Sequence, residues 1–128
     1  MGTQFVVQLE NRPGALATFA RALAERGISI GEISGGGAGE HAYAVVTTDD
    51  DGATRAVLRS FGYPYVEGEA IVVEIADQPG GFAGTTEKLA AAGVDIRGVL
   101  FLGRRAGFVE TAFTVDDVGR ARRALGLG

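Results

Sequence analysis

The sequence contains no cysteine and a single histidine, His41. Without cysteine the chain has no disulfide, no thiolate metal ligand and no thiol nucleophile. With neither a cysteine nor a second histidine to complete a zinc site, His41 is expected to be an ordinary hairpin residue. No serine has a histidine or lysine partner at a spacing that suggests a nucleophilic centre. We therefore expect a protein that is not an enzyme and that holds no cofactor and no metal.

A basic excess is also missing, since the formal net charge is -4. This charge argues against a surface that neutralises phosphates. The one basic cluster, Arg120, Arg122 and Arg123, lies near the end of a predicted helix, where the helix dipole favours cations. No apolar run approaches the roughly 20 residues that cross a bilayer, and residues 1–4 lack the features of a signal peptide. We expect a cytoplasmic protein that binds neither nucleic acid nor membrane.

A strand-to-helix turn occurs twice in the sequence. Residues 10–16 (ENRPGAL) follow the apolar run 5–9 and precede a helical pattern. Residues 76–82 (ADQPGGF) repeat this arrangement 66 positions later. The nearly continuous apolar run at 5–9 is typical of a central strand with both sides largely covered. The sequence therefore predicts two related units.

Hydrophobic periodicity and turn residues predict the same order of elements in both units. The first unit is predicted to contain a helix from Ala15 to a stop at Gly27, a helix starting at residues 49–51, and strands at 5–9, 28–33, 42–46 and 63–67. The run 35–39, rich in glycine, is predicted to be a flexible hairpin connection. The second unit is predicted to contain helices at 80–92 and from 116–117 onward, and strands at 70–75, 94–102 and 108–114.

The second unit has too few residues after Gly126 for a closing strand. The sequence therefore predicts two units, at residues 1–68 and 69–128, of which the second lacks its own C-terminal strand. Units of about 60 residues are marginal alone, so we expect the two to pack as one body. The sheet edges would be covered by strand sharing, by exchange of the segment 63–67, or by a second copy of the chain.

The repeated strand, helix, strand, strand, helix, strand order, with NRPGAL at the first turn and GISI at residues 27–30, resembles the ACT domain family of amino-acid-binding regulatory modules. The resemblance covers essentially the whole chain as a tandem pair, similar to stand-alone tandem ACT proteins. Residues 10–14 are especially similar to the serine-binding regulatory domain of phosphoglycerate dehydrogenases. The resemblance implies an α+β, ferredoxin-like fold with helices on one face of each antiparallel sheet. It also implies side-by-side pairing of domains, with ligands at the seam.

In the serine-binding relatives two asparagines and a histidine hold the ligand. Asn11 matches the first asparagine, Ser29 stands at the place of the second, and Leu9 replaces the histidine. One of the three is kept, so the resemblance implies an amino-acid ligand rather than serine in particular.

The first turn is predicted to bind this ligand. The amides of Gly14, Ala15 and Leu16 open a helix without intrahelical acceptors, which suits a carboxylate. Asn11 offers both a carbonyl acceptor and amide donors, which suits a zwitterion. The remaining predicted ligand-binding residues are Arg12, Ser29 and Ile30. The alternative is that Asn11 caps the helix and the Pro-Gly pair makes the turn.

The second turn is a second candidate site with opposite charge. Asp77 replaces Asn11 and Asp95 replaces Ser29, so this turn is expected to repel a carboxylate and to attract an amine or cation. The other members of this candidate site are Gln78, Gly80 and Gly81. The alternative is that this turn is purely structural.

The predicted function is a non-enzymatic, allosteric regulatory or sensor module that binds a small amino acid between ACT units. A homodimer and a partner enzyme or regulator are the expected assemblies. The alternatives are a structural or protein-interaction module without a ligand and, more distantly, a small enzyme on the same scaffold.

Overall fold

The computed structural model describes residues 3–127. Met1, Gly2 and Gly128, which the predicted units and the predicted N-terminal segment include, lie outside the described residues. The strands within residues 3–127 are Phe5–Glu10 (β1), Ile30–Ala38 (β2), His41–Thr48 (β3), Tyr65–Glu67 (β4), Ala70–Ala76 (β5), Ile96–Arg105 (β6) and Phe108–Val115 (β7). The helices are Ala15–Ala24 (α1), Asp51–Ser60 (α2), Gly81–Ala91 (α3) and Val118–Ala124 (α4).

The strands form two antiparallel sheets. The first has the order β2-β3-β1-β4 and the second the order β5-β7-β6. The predicted α+β class, with two ferredoxin-like units, is therefore confirmed. Within residues 3–127 the second sheet has three strands, as the sequence predicts. The chain passes from one sheet to the other between Glu67 and Ala70, where the sequence places the boundary between residues 68 and 69.

Local signals place the helix ends. The Asp50 carboxylate accepts a hydrogen bond of 2.9 Å from the Ala53 N–H, and Asp117 caps α4 in the same way. After α1 the chain turns at Gly27, whose φ of +71° is a conformation that glycine adopts without strain. These ends agree with the sequence predictions because capping depends on neighbouring residues.

Each unit has a core between its helices and one face of its sheet. In the first unit β1 directs Phe5, Val7 and Leu9 toward α1 and α2, because alternate residues of a strand share a face. In the second unit α3 buries Leu89 and α4 buries Ala121 against the sheet.

A third core lies between the two sheets. Val6, Leu102 and Ala112 are completely buried there. The partly buried side chains packed around them are Tyr43, Val45, Val66, Ala70, Val72 and Leu100. Each sheet is thus covered by helices on one face and by the other sheet on its second face. This arrangement explains the nearly continuous apolar run at residues 5–9, for which the sequence predicts a strand with both sides largely covered.

The two units pack as one body, as predicted, but through sheet faces rather than through shared edges. β4 pairs with β1 of its own unit, with Val6 opposite Val66. The segment 63–67 is therefore neither shared with the second sheet nor exchanged. In the described chain β2 lies at one edge of the first sheet, where it hydrogen-bonds to β3 on one side.

The glycine run is a strand and not the predicted flexible connection. Gly35 pairs with Ala44 and Gly37 with Ala42, so β2 continues to residue 38. The missing side chains have a structural reason: a Cβ at Gly35 would lie 2.1 Å from the Tyr43 carbonyl oxygen. Glycine allows the two strands to approach closely here. The high glycine content of the segment therefore predicts a loop, although the segment forms a regular strand.

Two aromatic residues of the helical segments are partly exposed. Phe61, at the end of α2, is 55% exposed and Phe82, in α3, is 39% exposed. Both follow the apolar periodicity of their helices. Phe61 lies beside a cavity, and Phe82 packs against Phe101 on the edge strand β6.

Arg55 joins α2 to the short strand β4. Its guanidinium donates two hydrogen bonds of 2.8 Å to the Glu67 carboxylate, from Nε to Oε2 and from Nη2 to Oε1. The hydrogen bond from Arg55 holds the pKa of Glu67 below its usual value, although partial burial opposes this shift.

We expect the stabilisation from Glu67 to depend on pH. Because its pKa is lower in the folded than in the unfolded chain, the contribution is present above the unfolded pKa of about 4.3 and is lost as pH falls through the folded value. Urea denaturation should therefore show Glu67→Gln less stable than wild type at pH 7, by a difference that shrinks as pH falls below the unfolded pKa. The exposed Glu87→Gln serves as the control. A difference that persists unchanged at low pH would contradict this assignment.

Candidate ligand site

The first turn joins β1 to α1 through Gly14. This residue has φ +88° and precedes the first helical hydrogen bond, which the Thr18 N–H donates to the Gly14 carbonyl at 2.9 Å. The Ala15 N–H donates to the Arg12 carbonyl at 3.2 Å, so one of the three predicted amides is occupied. The N–H groups of Gly14 and Leu16 donate to no acceptor within residues 3–127.

Asn11 connects this turn to the hairpin between β2 and β3. Its Nδ2 donates to the Gly39 carbonyl at 2.9 Å, and its backbone N–H donates to the Glu40 carbonyl at 2.9 Å. A Cβ at Gly37 would lie 3.0 Å from Nδ2, so the carboxamide lies against bare backbone. The α1 cap is Gly14, without a side-chain hydrogen bond, and Asn11 therefore does not cap this helix. Its Oδ1 accepts no hydrogen bond from the described residues.

Ser29 and Ile30 lie far from Asn11. The Ser29 N–H donates to Asp49 Oδ1 at 2.9 Å, at the start of β2, whereas Asn11 lies beside the end of this strand. β2 has nine residues, and at about 3.3 Å per residue its ends are roughly 25 Å apart. Within one chain the structure therefore does not bring the predicted residues of the second strand to the turn.

An open cavity of about 380 Å³ lies between the first turn of α1 and β2. Its lining residues are Leu9, Leu16, Ile33, Ser34, Gly35, Gly36, Ala42, Tyr43 and Ala44. We call this cavity the β2 groove. Leu16 is 52% exposed and Ile33 48% exposed, which is unusual for large apolar side chains that lie together. Among the described residues no charged side chain lines the groove.

The sequence identified Leu16 but missed the strand residues of the groove. The sequence predicts a strand at residues 28–33 that ends before Gly35, and it predicts a flexible hairpin connection at residues 35–39. The available signal was the glycine run itself beside an apolar strand, because small residues on paired strands leave space above the sheet.

Arg12 belongs to a different cavity. Its Nε forms an ion pair with Glu10 Oε2, and both side chains are exposed. This cavity of about 420 Å³ is lined by Gln8, Leu9, Glu10, Arg12, Ala15, Thr18, His41, Phe61, Gly62, Tyr63 and Pro64. Burial raises the pKa of Tyr63 there, and Arg12 opposes the shift. Of the predicted ligand residues of the first turn, Leu16 lines the β2 groove, and Arg12 and Ala15 line this second cavity. Asn11 and Gly14 line neither of the two.

In the second unit aromatic side chains stand where the β2 groove is open in the first. Phe82 occurs 66 residues after Leu16, and Phe101 occurs 66 residues after Gly35. The two rings pack edge to face with centroids 5.7 Å apart. The Arg104 guanidinium lies 5.5 Å from the Phe101 ring centroid. The two units therefore differ at the equivalent position.

The charge of the second turn is balanced within the chain. Asp77 Oδ2 accepts a hydrogen bond of 3.1 Å from Arg104 Nε. The cation that the sequence predicts for this turn is thus supplied by the neighbouring hairpin. The turn geometry repeats that of the first: Gly80 has φ +86°, and the Gly81 N–H donates to the Gln78 carbonyl at 3.0 Å.

Asp95 does not join Asp77. Its N–H donates to Asp116 Oδ1 at 2.9 Å, and its carboxylate lies 3.6 Å from Arg97 Nε. It occupies the start of β6, as Ser29 occupies the start of β2.

Within residues 3–127 no three histidine, aspartate or glutamate side chains are grouped to hold a metal ion. Over the same residues no helix has the length and apolar character needed to span a membrane.

We expect the contact between Asn11 and the hairpin to stabilise the fold. Asn11→Asp removes the Nδ2 donor and sets a carboxylate against the Gly39 carbonyl. Chemical denaturation should show a loss of about 0.5–1.5 kcal/mol in the free energy of unfolding. Gln78→Glu, the same amide-to-acid change on an exposed side chain of the second turn, should leave the stability nearly unchanged. Equal effects of the two substitutions would contradict the contact.

Residues 3–58 match the model of the ACT domain family. The matched segment includes the first turn, the β2 groove and most of α2, and it agrees with the resemblance noted in the sequence. No curated protein matches the chain at a significant level.

Three solved structures of low sequence identity are similar to this chain. A protein from Bacteroides thetaiotaomicron is 16% identical over 98% of this chain and 87% of its own, with a TM-score of 0.52. The regulatory subunit of aspartate kinase from Thermus thermophilus is 22% identical over 98% and 91%, with a TM-score of 0.44. The small subunit of acetolactate synthase from Thermotoga maritima is 11% identical over 98% and 85%, with a TM-score of 0.46.

Proposed function

We propose that the chain is a non-enzymatic regulatory module with tandem ACT units, and that it binds a small amino acid in the β2 groove of its first unit. The ACT family match over residues 3–58 supports this proposal. The observation that carries it is the groove itself, which is apolar, open and adjacent to unoccupied helix amides.

Each part of an amino acid has a complementary group at the first turn. The Gly14 and Leu16 N–H groups suit the carboxylate, since the helix N-terminus favours negative charge. The Asn11 Nδ2 is committed to Gly39, so Asn11 acts through its Oδ1, which accepts from the ammonium group. The ligand side chain extends into the groove.

We propose that a second copy completes the site. β2 is an edge strand with an unpaired side, and antiparallel pairing with β2 of a second copy reverses the strand direction. The start of the second copy's β2, with Ser29 and Ile30, then lies near Asn11 of the first copy. In the homodimer, residues that are roughly 25 Å apart in one chain therefore lie close together. It also covers Leu16 and Ile33.

A ligand bound between two copies favours one relative arrangement over another, which is the basis of allosteric coupling. The arrangement is transmitted to a partner enzyme or regulator. Cytoplasmic localisation remains the expectation from sequence.

For the second unit we propose a protein-interaction function rather than a ligand site. Asp77 is paired with Arg104, and the exposed apolar side chains Phe82, Val99 and Phe101 form a patch on this unit. We assign contact with a protein partner, rather than ligand binding, to the second unit.

We expect Ile33→Asp to disrupt the homodimer, because it places a charge at the β2 edge without removing a core residue. Analytical ultracentrifugation should show wild type as a dimer and this variant as a monomer. Val99→Asp is a matched control, since Val99 occupies the equivalent position in β6 and is 39% exposed. A monomeric wild type, or a dimer disrupted only by the Val99 substitution, would contradict the proposed assembly.

Amino-acid binding is expected to raise the thermal stability of the protein. A ligand at about 100 times its dissociation constant adds roughly 2.7 kcal/mol to the free energy of unfolding. A thermal-shift screen of the twenty amino acids should identify the ligands, and calorimetry should show weaker binding to Asn11→Ala. Asp77→Asn should bind as wild type does. A screen without any stabilising amino acid would favour the interaction module without a ligand.

A further inference from the structure

We propose that the ligand of the β2 groove is an amino acid with a large apolar side chain, aliphatic or aromatic. This inference rests on the proposed function and names the class of ligand. Ala42, in the floor of the groove, is the position that determines the accepted size.

The chemistry of the lining selects against polar side chains. Leu9, Leu16, Ile33 and Ala42 supply the apolar surface of the groove. A charged or hydroxylated side chain placed there loses hydration without gaining a hydrogen-bonding partner, which disfavours its binding.

The two polar residues of the lining direct their side chains elsewhere. Tyr43 packs into the core between the sheets, where burial and the nearby Glu110 raise the pKa of its phenol. Ser34 is opposite Val45 in the sheet register, and Val45 also belongs to that core. Since paired residues share a face, Ser34 presents backbone rather than hydroxyl to the groove.

The size of the groove suits a large side chain. Its volume of about 380 Å³ lies within the range of about 300–1,000 Å³ typical of ligand sites. Ala42 and Ala44 supply only a methyl group each to the floor of the groove, and Gly35 has no side chain to fill it. A side chain of one or two heavy atoms would leave most of this volume unfilled.

The second unit shows what fits at the equivalent position. Phe101 occurs at the position equivalent to Gly35 and places an aromatic ring beside the helix, and Phe82 packs against this ring from α3. The Phe82 ring also stacks on Phe113 of the core at 6.0 Å. The fold thus accommodates an aromatic ring between the first helix turn and the neighbouring strands. We infer that in the first unit the ligand side chain takes the place that Phe101 occupies in the second.

The test is isothermal titration calorimetry of the full chain with glycine, alanine, valine, leucine and phenylalanine, and with serine, aspartate and lysine. Affinity should rise with apolar area, so that leucine binds roughly tenfold or more tightly than alanine. Serine, aspartate and lysine should bind no more tightly than alanine.

Two variants test whether the groove determines this selectivity. Ala42→Leu fills the floor and should weaken leucine and phenylalanine binding by about tenfold, and alanine binding by much less. Ala56→Leu, the same change on an exposed position of α2, is the control. Leu16→Ala, at a half-exposed position that tolerates truncation, should weaken leucine binding several-fold without affecting alanine.

The outcomes separate this inference from the proposed function. Serine or a charged amino acid binding as tightly as leucine would overturn the apolar class and leave amino-acid binding intact. Leucine binding that neither Ala42→Leu nor Leu16→Ala weakens would overturn the groove as its site. If no amino acid binds, the proposed function fails and this inference fails with it.

Discussion

The packing of the two sheets against each other is the contact on which the rest of the structure depends. The helices cover one face of each sheet, and Val6, Leu102 and Ala112 bury the other. A unit of about 60 residues is only marginally stable alone, so burial between the sheets adds to the stability of both. Polar contacts fix the relative position of the sheets: Gln8 Nε2 donates to the Phe101 carbonyl at 2.9 Å, and the Ala70 N–H donates to Gln4 Oε1 at 3.2 Å. The β2 edge and the outer side of α1 remain available for another molecule.

Close approach between the sheets has consequences for the first turn. A Cβ at Gly39 would lie 2.3 Å from the Arg104 carbonyl oxygen, so only glycine allows this contact between the hairpin tip and β6. The same hairpin accepts the Asn11 hydrogen bond through the Gly39 carbonyl. Sheet packing therefore positions the hairpin, and the hairpin positions the Asn11 side chain in the first turn. The turn and the interface between the units form one connected structure.

Local features of the fold could be predicted from the sequence, while features set by distant contacts could not. The caps at Asp50 and Asp117 depend on adjacent residues and agreed with the structure. The apolar run at 5–9 predicted two covered faces, but nothing in it specified that the second cover is another sheet. The sequence predicts a loop at Gly35, because the contact that requires glycine there is made by the opposite strand and is not visible in the sequence. The groove was missed for the same reason: it consists of space left by absent side chains on paired strands. Ser29 was placed with Asn11 by resemblance, and the length of β2 separates them in one chain.

The central claim is that an apolar amino acid binds at the first turn and not at its repeat. The most direct measurement is a titration of the isotope-labelled protein with leucine, followed by amide nuclear magnetic resonance. We predict saturable shifts of the Gly14, Leu16 and Gly36 amides, while the amides of Gly80 and Phe82 stay unchanged. Shifts centred on Gly80 and Phe82, or no saturable shift in either turn, would contradict the claim.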